Sequence, residues 1–439
     1  MPVMRGARLT RRGRRTYLPA VGTPANISAP GATGRDWTSE LDSPAAWRRL
    51  AVAVALGTIG SVGMWSVPVA LPAVQAEFGV ARADASLPYT LAMVSFAIGG
   101  VLMGRLSDRR GVVAPLICGA AALGFGYVVA GLAGSLTLFA LAHGFLIGVG
   151  ASATFGPLIA DTSQWFVRRR GIAVAIVSCG NYLAGTVWPP VLQQFISTAG
   201  WRATHIGIGV FCAVTMLPLI WALRRRAPMR EESVSAGAAR EASARALGLS
   251  PNALQAVLCV AGLSCCVAMS MPQVHIVAYC GDLGYGVARG AEMLAIMLGF
   301  GIVSRIASGF IADRIGGVAT LLLGSALQGL ALFLYLLFDG LASLYVISAL
   351  FGLFQGGIVA MYAIIVRDYF SPQEAGTRLG FVLMATLFGM ALGGWMSGMI
   401  FDLTGSYRAA FANGLLWNLL NVSIALWLLM RPGRRLAPA

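Results

Sequence analysis

From Leu50 onward the chain runs as long apolar stretches separated by short polar ones. Twelve of them approach or exceed about 20 residues, the length at which a helix crosses hydrocarbon. They cover approximately 48–76, 84–107, 112–133, 136–161, 169–199, 203–224, 252–280, 288–311, 317–338, 341–367, 375–402 and 407–430. Strand-like alternation is absent, and lipid leaves an unpaired backbone no partner, so each stretch is predicted to be a helix. Ala133-Gly134-Ser135 alone separates the third from the fourth. Residues 1–46 carry Arg, Pro, Gly, Ser and Thr without apolar periodicity and are expected to form a disordered tail. No apolar core follows Arg11–Arg15 closely enough for a secretory signal. Residues 225–251 read as a polar linker and 431–439 as a second tail, which leaves bundles at 47–224 and 252–430. The expected fold is an all-α polytopic membrane protein, twelve transmembrane helices in two pseudo-symmetric six-helix bundles.

Prolines fall inside segments 1 (Pro68, Pro72), 4 (Pro157), 5 (Pro189, Pro190) and 7 (Pro272). Each removes a helical hydrogen bond and can kink its helix, useful to a gate or merely to packing. Gly352-x-x-x-Gly356, Gly389-x-x-x-Gly393 and Gly394-x-x-x-Gly398 predict close helix crossings.

Composition agrees with the pattern. The chain is 57% hydrophobic and 11% charged, where a soluble domain has about a quarter of its residues charged. The net charge of +15 could suggest nucleic acid, but its distribution argues otherwise. All 32 cations are arginines; Arg82, Arg202, Arg289 and Arg408 fall at one face, Arg305 falls inside a segment, and the rest fall at the other face. That asymmetry predicts a cytoplasmic Arg-rich face holding both termini and the linker. The seven cysteines are scattered through apolar segments, without a CxxC pair, and read as small packing residues rather than metal ligands.

The octapeptide Gly104-Arg-Leu-Ser-Asp-Arg-Arg-Gly111 returns as Gly309-Phe-Ile-Ala-Asp-Arg-Ile-Gly316, 205 residues on, each time between the second and third segment of a half. A repeat of half the chain is a duplication rather than a solenoid. Duplicated membrane spans mark secondary transporters, with the site where the halves meet. A further echo pairs Asp161, followed by Trp165-Phe166-Val167-Arg168-Arg169-Arg170-Gly171, with Asp368-Tyr369-Phe370, followed by Gly376-Thr377-Arg378.

The paired loop motif resembles the signature of the major facilitator superfamily, matched by Gly104, Leu106, Asp108, Arg109 and Gly111, and by Gly309, Asp313, Arg314 and Gly316, with Ile311 replacing Leu. The resemblance covers about 48–430. It implies a cytoplasmic charge latch that holds the inward gate shut in the outward-open state, here Asp108 and Arg109 with Asp161, joined by Arg170, Asp368 and Arg378. A purely topological role for these arginines is the alternative. Within the superfamily, the opening Trp65-Ser-Val-Pro68-Val-Ala-Leu-Pro72, the seventh segment's Pro272-Gln-Val-His275-Ile-Val-Ala-Tyr279 and Arg305 of the eighth resemble the monocarboxylate and oxalate/formate transporter group. In that group an arginine at this place binds the substrate carboxylate. Val69 stands where animal monocarboxylate carriers have lysine, Gly301 replaces an aspartate one turn before the arginine, and the helix-11 lysine of oxalate exchangers has no counterpart.

Arg305 also stands out without the resemblance. The repeat offset aligns it with Gly100, so the scaffold does not demand arginine. It lies roughly 6 Å of helix before Gly309, among Gly301, Ser304 and Ser308. A cation in hydrocarbon is costly unless it meets water, an anion or an acid, and its planar fork suits a carboxylate. The alternative is an arginine snorkelling to headgroups. Further substrate-site candidates are His275, which could carry a proton, with Asn181, Tyr182, Trp188 and Tyr279; Gln273, Gln355 and Tyr362 are weaker, and Glu292 can simply be solvated.

The reading is a secondary transporter for a small organic anion, a monocarboxylate by preference, in a bacterial-type inner membrane. Its expected partners are that anion and the lipid bilayer. A proton as co-substrate stays open because no mid-membrane acid is evident. No cofactor, metal or nucleic acid is expected, and the chain is expected to act as a monomer. A drug exporter of the same superfamily is one alternative, although segment 5 (Gly180-Asn-Tyr-Leu-Ala-Gly185) lacks the Gly-Pro dipeptide of proton-antiport exporters. A membrane sensor would need a signalling domain that neither 1–46 nor 225–251 is long enough to fold. No metal-ligand cluster, nucleophile–base pair or P-loop suggests an enzyme or ATP-driven pump.

Overall fold

A computed structural model describes residues 41–225 and 249–431. Most of the N-terminal tail expected to be disordered, most of the linker and the last residues lie outside them. Helix α1 covers Pro44–Phe78, α2 Arg82–Arg110, α3 Val113–Gly131 and α4 Leu136–Trp165. Arg170–Ala222 is two helices, α5 (170–199) and α6 (201–222), joined without a loop at Gly200, whose φ of 80° no L side chain adopts readily. Then follow α7 Pro251–Asp282, α8 Val287–Ile315, α9 Gly317–Leu337, α10 Leu341–Tyr369, α11 Pro372–Thr404 and α12 Tyr407–Met430. Twelve spans and an all-helical fold therefore hold among the described residues.

The ends follow local chemistry. Ser43, Ser135, Ser250 and Ser406 cap α1, α4, α7 and α12 through side-chain oxygens, and Pro44 and Pro251 open α1 and α7. Both motif copies finish on a glycine with positive φ, Gly111 at 80° and Gly316 at 81°. This backbone lets α2 turn directly into α3, and α8 into α9. It accounts for the motif's last glycine. A Cβ at Gly104 or Gly309 would meet only open space.

Pro157 sits just after an interruption of α4 at Ala153–Phe155, but the helix continues through Pro68, Pro72, Pro189, Pro190 and Pro272. Further interruptions fall at Ser61 in α1, Cys179 in α5 and Gly356-Gly357 in α10, and α4 also carries a π-helical stretch, Ala142–Gly148. Irregular backbone at membrane depth survives where protein or a cavity covers it.

The Gly352/Gly356 pair behaves as a crossing motif should. A Cβ at Gly352 would penetrate the Met297 carbonyl of α8, and one at Gly356 the Gly301 carbonyl. Backbone contact this close leaves no flexible side chain to give way. Gly352→Val is therefore expected to lower the thermal midpoint of the detergent-solubilised protein, in line with overpacking costs of about 1–3 kcal/mol or more. Gly100→Ala, into open space, should leave it unchanged or raise it. Equal midpoints for Gly352→Val and wild type would contradict this packing.

Candidate substrate site

Arg305 lies where α8 crosses the interruptions of α5 and α10. The first part of α5 ends at Ser178. Arg305 Nη1 donates to the Ser178 carbonyl at 2.8 Å. A helix C-terminus carries partial negative charge, so this is favourable ground for a cation. The guanidinium stacks 4.6 Å from the Tyr182 ring centroid, a cation–π contact. Arg305 is half-buried, and its Nε is buried without a hydrogen-bond partner. No acid pairs with it among the described residues. The side chain turns toward α5 of the other half rather than along the lipid.

Gly301 explains itself here. A Cβ at 301 would strike the Tyr182 ring, and Tyr182 Oη donates to the Gly356 carbonyl at 3.3 Å. Tyrosine thus occupies the space that an aspartate at 301 would need. Ser304 Oγ accepts the Gly357 N–H at 3.1 Å, supplying a partner at the α10 break. Next to this layer, Trp65 Nε1 of α1 donates to Asn181 Oδ1 at 3.2 Å, and Asn181 Nδ2 lies 3.2 Å from Met64 Sδ. Gly185 leaves room for Trp65 and Leu298.

The structure thus joins Arg305 and Tyr182 directly and places Asn181 beside them, tied to α1. It does not join the other candidates. Trp188 donates to the Thr58 carbonyl at 2.9 Å and packs edge-on to Phe211, inside the N-terminal half. His275 and Tyr279 lie near the Arg-poor end. Seven residues from the end of α7, His275 is roughly 10 Å below that end, whereas Arg305, ten residues from the end of α8, is roughly 15 Å from the Arg-rich end. Gln355 is fully buried, with neither amide atom partnered among the described residues.

The charges read as a latch are not joined in this conformation, in which the Arg-poor end is the closed one. Asp161 does not meet Arg109 or Asp108. Its two oxygens accept Arg49 Nε at 2.9 Å and Nη2 at 2.8 Å, Arg49 also donates to the Leu223 carbonyl, and the guanidinium lies over Trp165. Both residues are buried. The pair ties α1, α4 and the end of α6 within one half; Asp161 points this way because its helix face packs on α1. Asp108, Arg109, Asp313 and Arg314 are exposed, without a hydrogen bond or ion pair among the described residues. Arg378 pairs with Glu374 at 2.8 Å, reaches Asn252 and covers Phe370, all in the C-terminal half. Arg170 opens α5 and Asp368 lies near the end of α10; both are engaged in contacts.

A connection between the halves that the sequence reading missed closes the Arg-poor end. Asp402 of α11 accepts the backbone N–H groups of Arg82 (2.9 Å) and Ala83 (2.8 Å), so one half caps a helix of the other. Arg82 makes two 3.1 Å bonds to Asp282 and one of 2.5 Å to Tyr407 Oη. Gly398 packs on Ala83, Gly394 on Tyr89, and Thr90 Oγ1 donates to the Ala391 carbonyl. The available signal was Arg82 itself, one of few arginines on that face, opening α2 as Asp402 closes α11.

The Major Facilitator Superfamily model matches residues 53–348 and 308–438, nearly the whole helical region. The chain belongs to this superfamily. Among its curated relatives, Monocarboxylate transporter 13 of Bos taurus is 28% identical over 71% of this chain and 72% of its own. Monocarboxylate transporter 12 of Xenopus laevis is 26% identical over 73% and 74%, and the MFS-type transporter pynF of Aspergillus niger 24% over 68% of each. A bacterial homologue of the human lysosomal transporter Spinster shares the fold with a TM-score of 0.65 at 15% identity, covering 89% of this chain and 96% of that one. The nucleoside transporter NupG does so at 0.67 and 13%, covering 88% and 99%. This major facilitator protein is a multi-pass membrane transporter, not an enzyme, and its similar relatives include monocarboxylate transporters.

Proposed function

We propose that this transporter is a secondary carrier of a small organic anion, a monocarboxylate by preference, and that Arg305 binds the carboxylate. The observation that supports this most is an intramembrane guanidinium at the meeting of the two halves with no acid paired to it among the described residues. Its Nε is unmatched, and Tyr182 beneath it orients the plane of the fork. A carboxylate presents the two oxygens that such a fork fits. Cationic drugs would be repelled by the same charge. The printed names of the curated relatives point the same way. A thermal-shift screen of small carboxylates against neutral analogues tests the substrate class, since a ligand of the folded state raises the midpoint. Stabilisation by neutral analogues as strong as by carboxylates would reject the anion reading.

The Arg-rich end is proposed to face the cytoplasm of a bacterial-type cell, with the chain acting as a monomer. On a Cys-less background, an impermeant thiol reagent added to intact cells should label Thr404→Cys at the Arg-poor end and leave Thr377→Cys at the Arg-rich end unlabelled; both positions are exposed. The reverse pattern would invert the topology. Asp108 and Arg109 are proposed to find partners only when the Arg-rich end closes.

A further inference from the structure

We infer that His275 is a proton-binding site built into the gate at the Arg-poor end, accessible only when that gate opens; this rests on the secondary-carrier reading above, in which the two ends open in turn (alternating access). The closed gate dictates the ring's protonation by hydrogen-bond polarity. His275 is fully buried. Its Nε2 lies 2.7 Å from the Gly394 carbonyl, which can only accept, so Nε2 carries hydrogen. Its Nδ1 lies 3.2 Å from Tyr407 Oη. That oxygen already accepts from Arg82 Nη1, an obligate donor, so the tyrosine O–H points at Nδ1 and Nδ1 is the acceptor. Arg82, Tyr407, His275 and Gly394 thus form one directed chain.

A second proton on the ring would reverse the Tyr407–His275 link. It would leave the buried tyrosine hydrogen without an acceptor and set a second cation close to Arg82. The surrounding titratable groups do not remove this conflict. From α2 come Arg82 and, against Gly394, Tyr89; from α7 Tyr279 and Asp282; from α11 Asp402; from α12 Tyr407. Both carboxylates are committed, Asp282 to the Arg82 guanidinium and Asp402 to the amides of Arg82 and Ala83. Opening the gate parts α2 from α7, α11 and α12, and brings water to the ring. The closed gate therefore holds neutral His275, and the open gate accepts a proton. A proton taken from the medium forms the second N–H bond on opening and is returned on closure.

Acid on this side then favours opening. If the hydrated ring titrates in its ordinary range, near 6.5, the open-to-closed ratio rises about tenfold between pH 8 and pH 5.5. That window stays above ordinary carboxylate titration, which keeps Asp282 and Asp402 out of the response. Spin labels at the exposed positions Ala76 and Ala342, one in each half near the Arg-poor end, report the distance in nanodiscs. In wild type the longer distance should gain about tenfold over the shorter one as pH falls. His275→Gln, whose amide can still donate to Gly394, should stay at the pH 8 ratio throughout. A pH response that survives in His275→Gln overturns the inference, as does a wild-type distance that changes with substrate but not with pH. Absence of the longer distance at every pH and with every carboxylate tried would instead overturn alternating access itself. Independently of any variant, ¹⁵N spectra of histidine-labelled wild-type protein, with three histidines to assign, should show the Nε2–H tautomer for His275 in the closed population at pH 6. A doubly protonated ring there would sink the proposal.

Discussion

Arg305→Gln is expected to reduce carboxylate uptake to background while the protein still reaches the membrane at wild-type levels. Glutamine keeps much of the stem length and one donor for the Ser178 carbonyl, but it removes the charge and the two-pronged edge. A hydrogen bond to a charged group contributes about 1.5–3 kcal/mol. One such bond corresponds to roughly a tenfold to hundredfold loss of apparent affinity, and two are at stake. Arg305→Lys should retain the charge and lose the fork and the stacking on Tyr182, so its uptake should be weak and restored only at high substrate. Tyr182→Phe should keep the stacking and affect affinity little; Tyr182→Ala should resemble Arg305→Lys. Normal uptake by well-expressed Arg305→Gln would remove the carboxylate assignment and leave the arginine a structural tie to the end of the first part of α5.

Arg49→Ala is expected to produce the largest loss of stability. Its guanidinium neutralises Asp161, and both side chains are more than nine-tenths buried. Removing one partner of a buried pair leaves an uncompensated charge, at a cost of about 3–5 kcal/mol. That is a large fraction of the margin of a folded domain, about 5–15 kcal/mol. The variant should express poorly and melt well below wild type. Replacing both residues with leucine should recover part of the loss, because it removes the buried charge along with its partner. If Arg49→Ala melts with wild type, or the double variant is worse than the single one, the pair does not hold α1, α4 and α6 together. The same measurement bears on gating. With Asp161 bound to Arg49, loss of transport in Asp161→Asn should accompany loss of stability.

The number of spans and their boundaries were legible in the sequence because the bilayer imposes length and apolarity on each helix independently of its neighbours. Even the loopless junction of α5 and α6 lay close to the expected limits, since Gly200 marks it. Break positions were less legible. Proline is a local signal, yet of the six prolines named from the sequence five sit in uninterrupted helix, and α10 breaks at Gly356-Gly357 with no proline at all. Whether a backbone interruption persists depends on what covers it, and here Ser304 of another helix supplies the acceptor.

Side-chain partners divide in the same way. Arg305 announced itself, because a charge in an apolar helix stands out against its own segment. Its setting did not. Ser178 is 127 residues away, Tyr182 and Gly356 come from different halves, and the fit of tyrosine against Gly301 follows from helix crossing distance. The partner Asp161 takes in this conformation was not legible, because many arginines share one face of the membrane and only the rotation of α4 about its axis selects Arg49. His275 and Tyr279 were grouped with Arg305 as candidates but belong to the Arg-poor gate, a matter of depth along α7. The sequence alone determined a duplicated, twelve-helix membrane transporter with a conspicuous internal arginine, because those properties are written in length, hydropathy, repeat and charge distribution along one chain. The tertiary structure alone decided which charges meet, which end is closed and what surrounds the arginine, because these depend on the crossing and rotation of helices that are far apart in sequence.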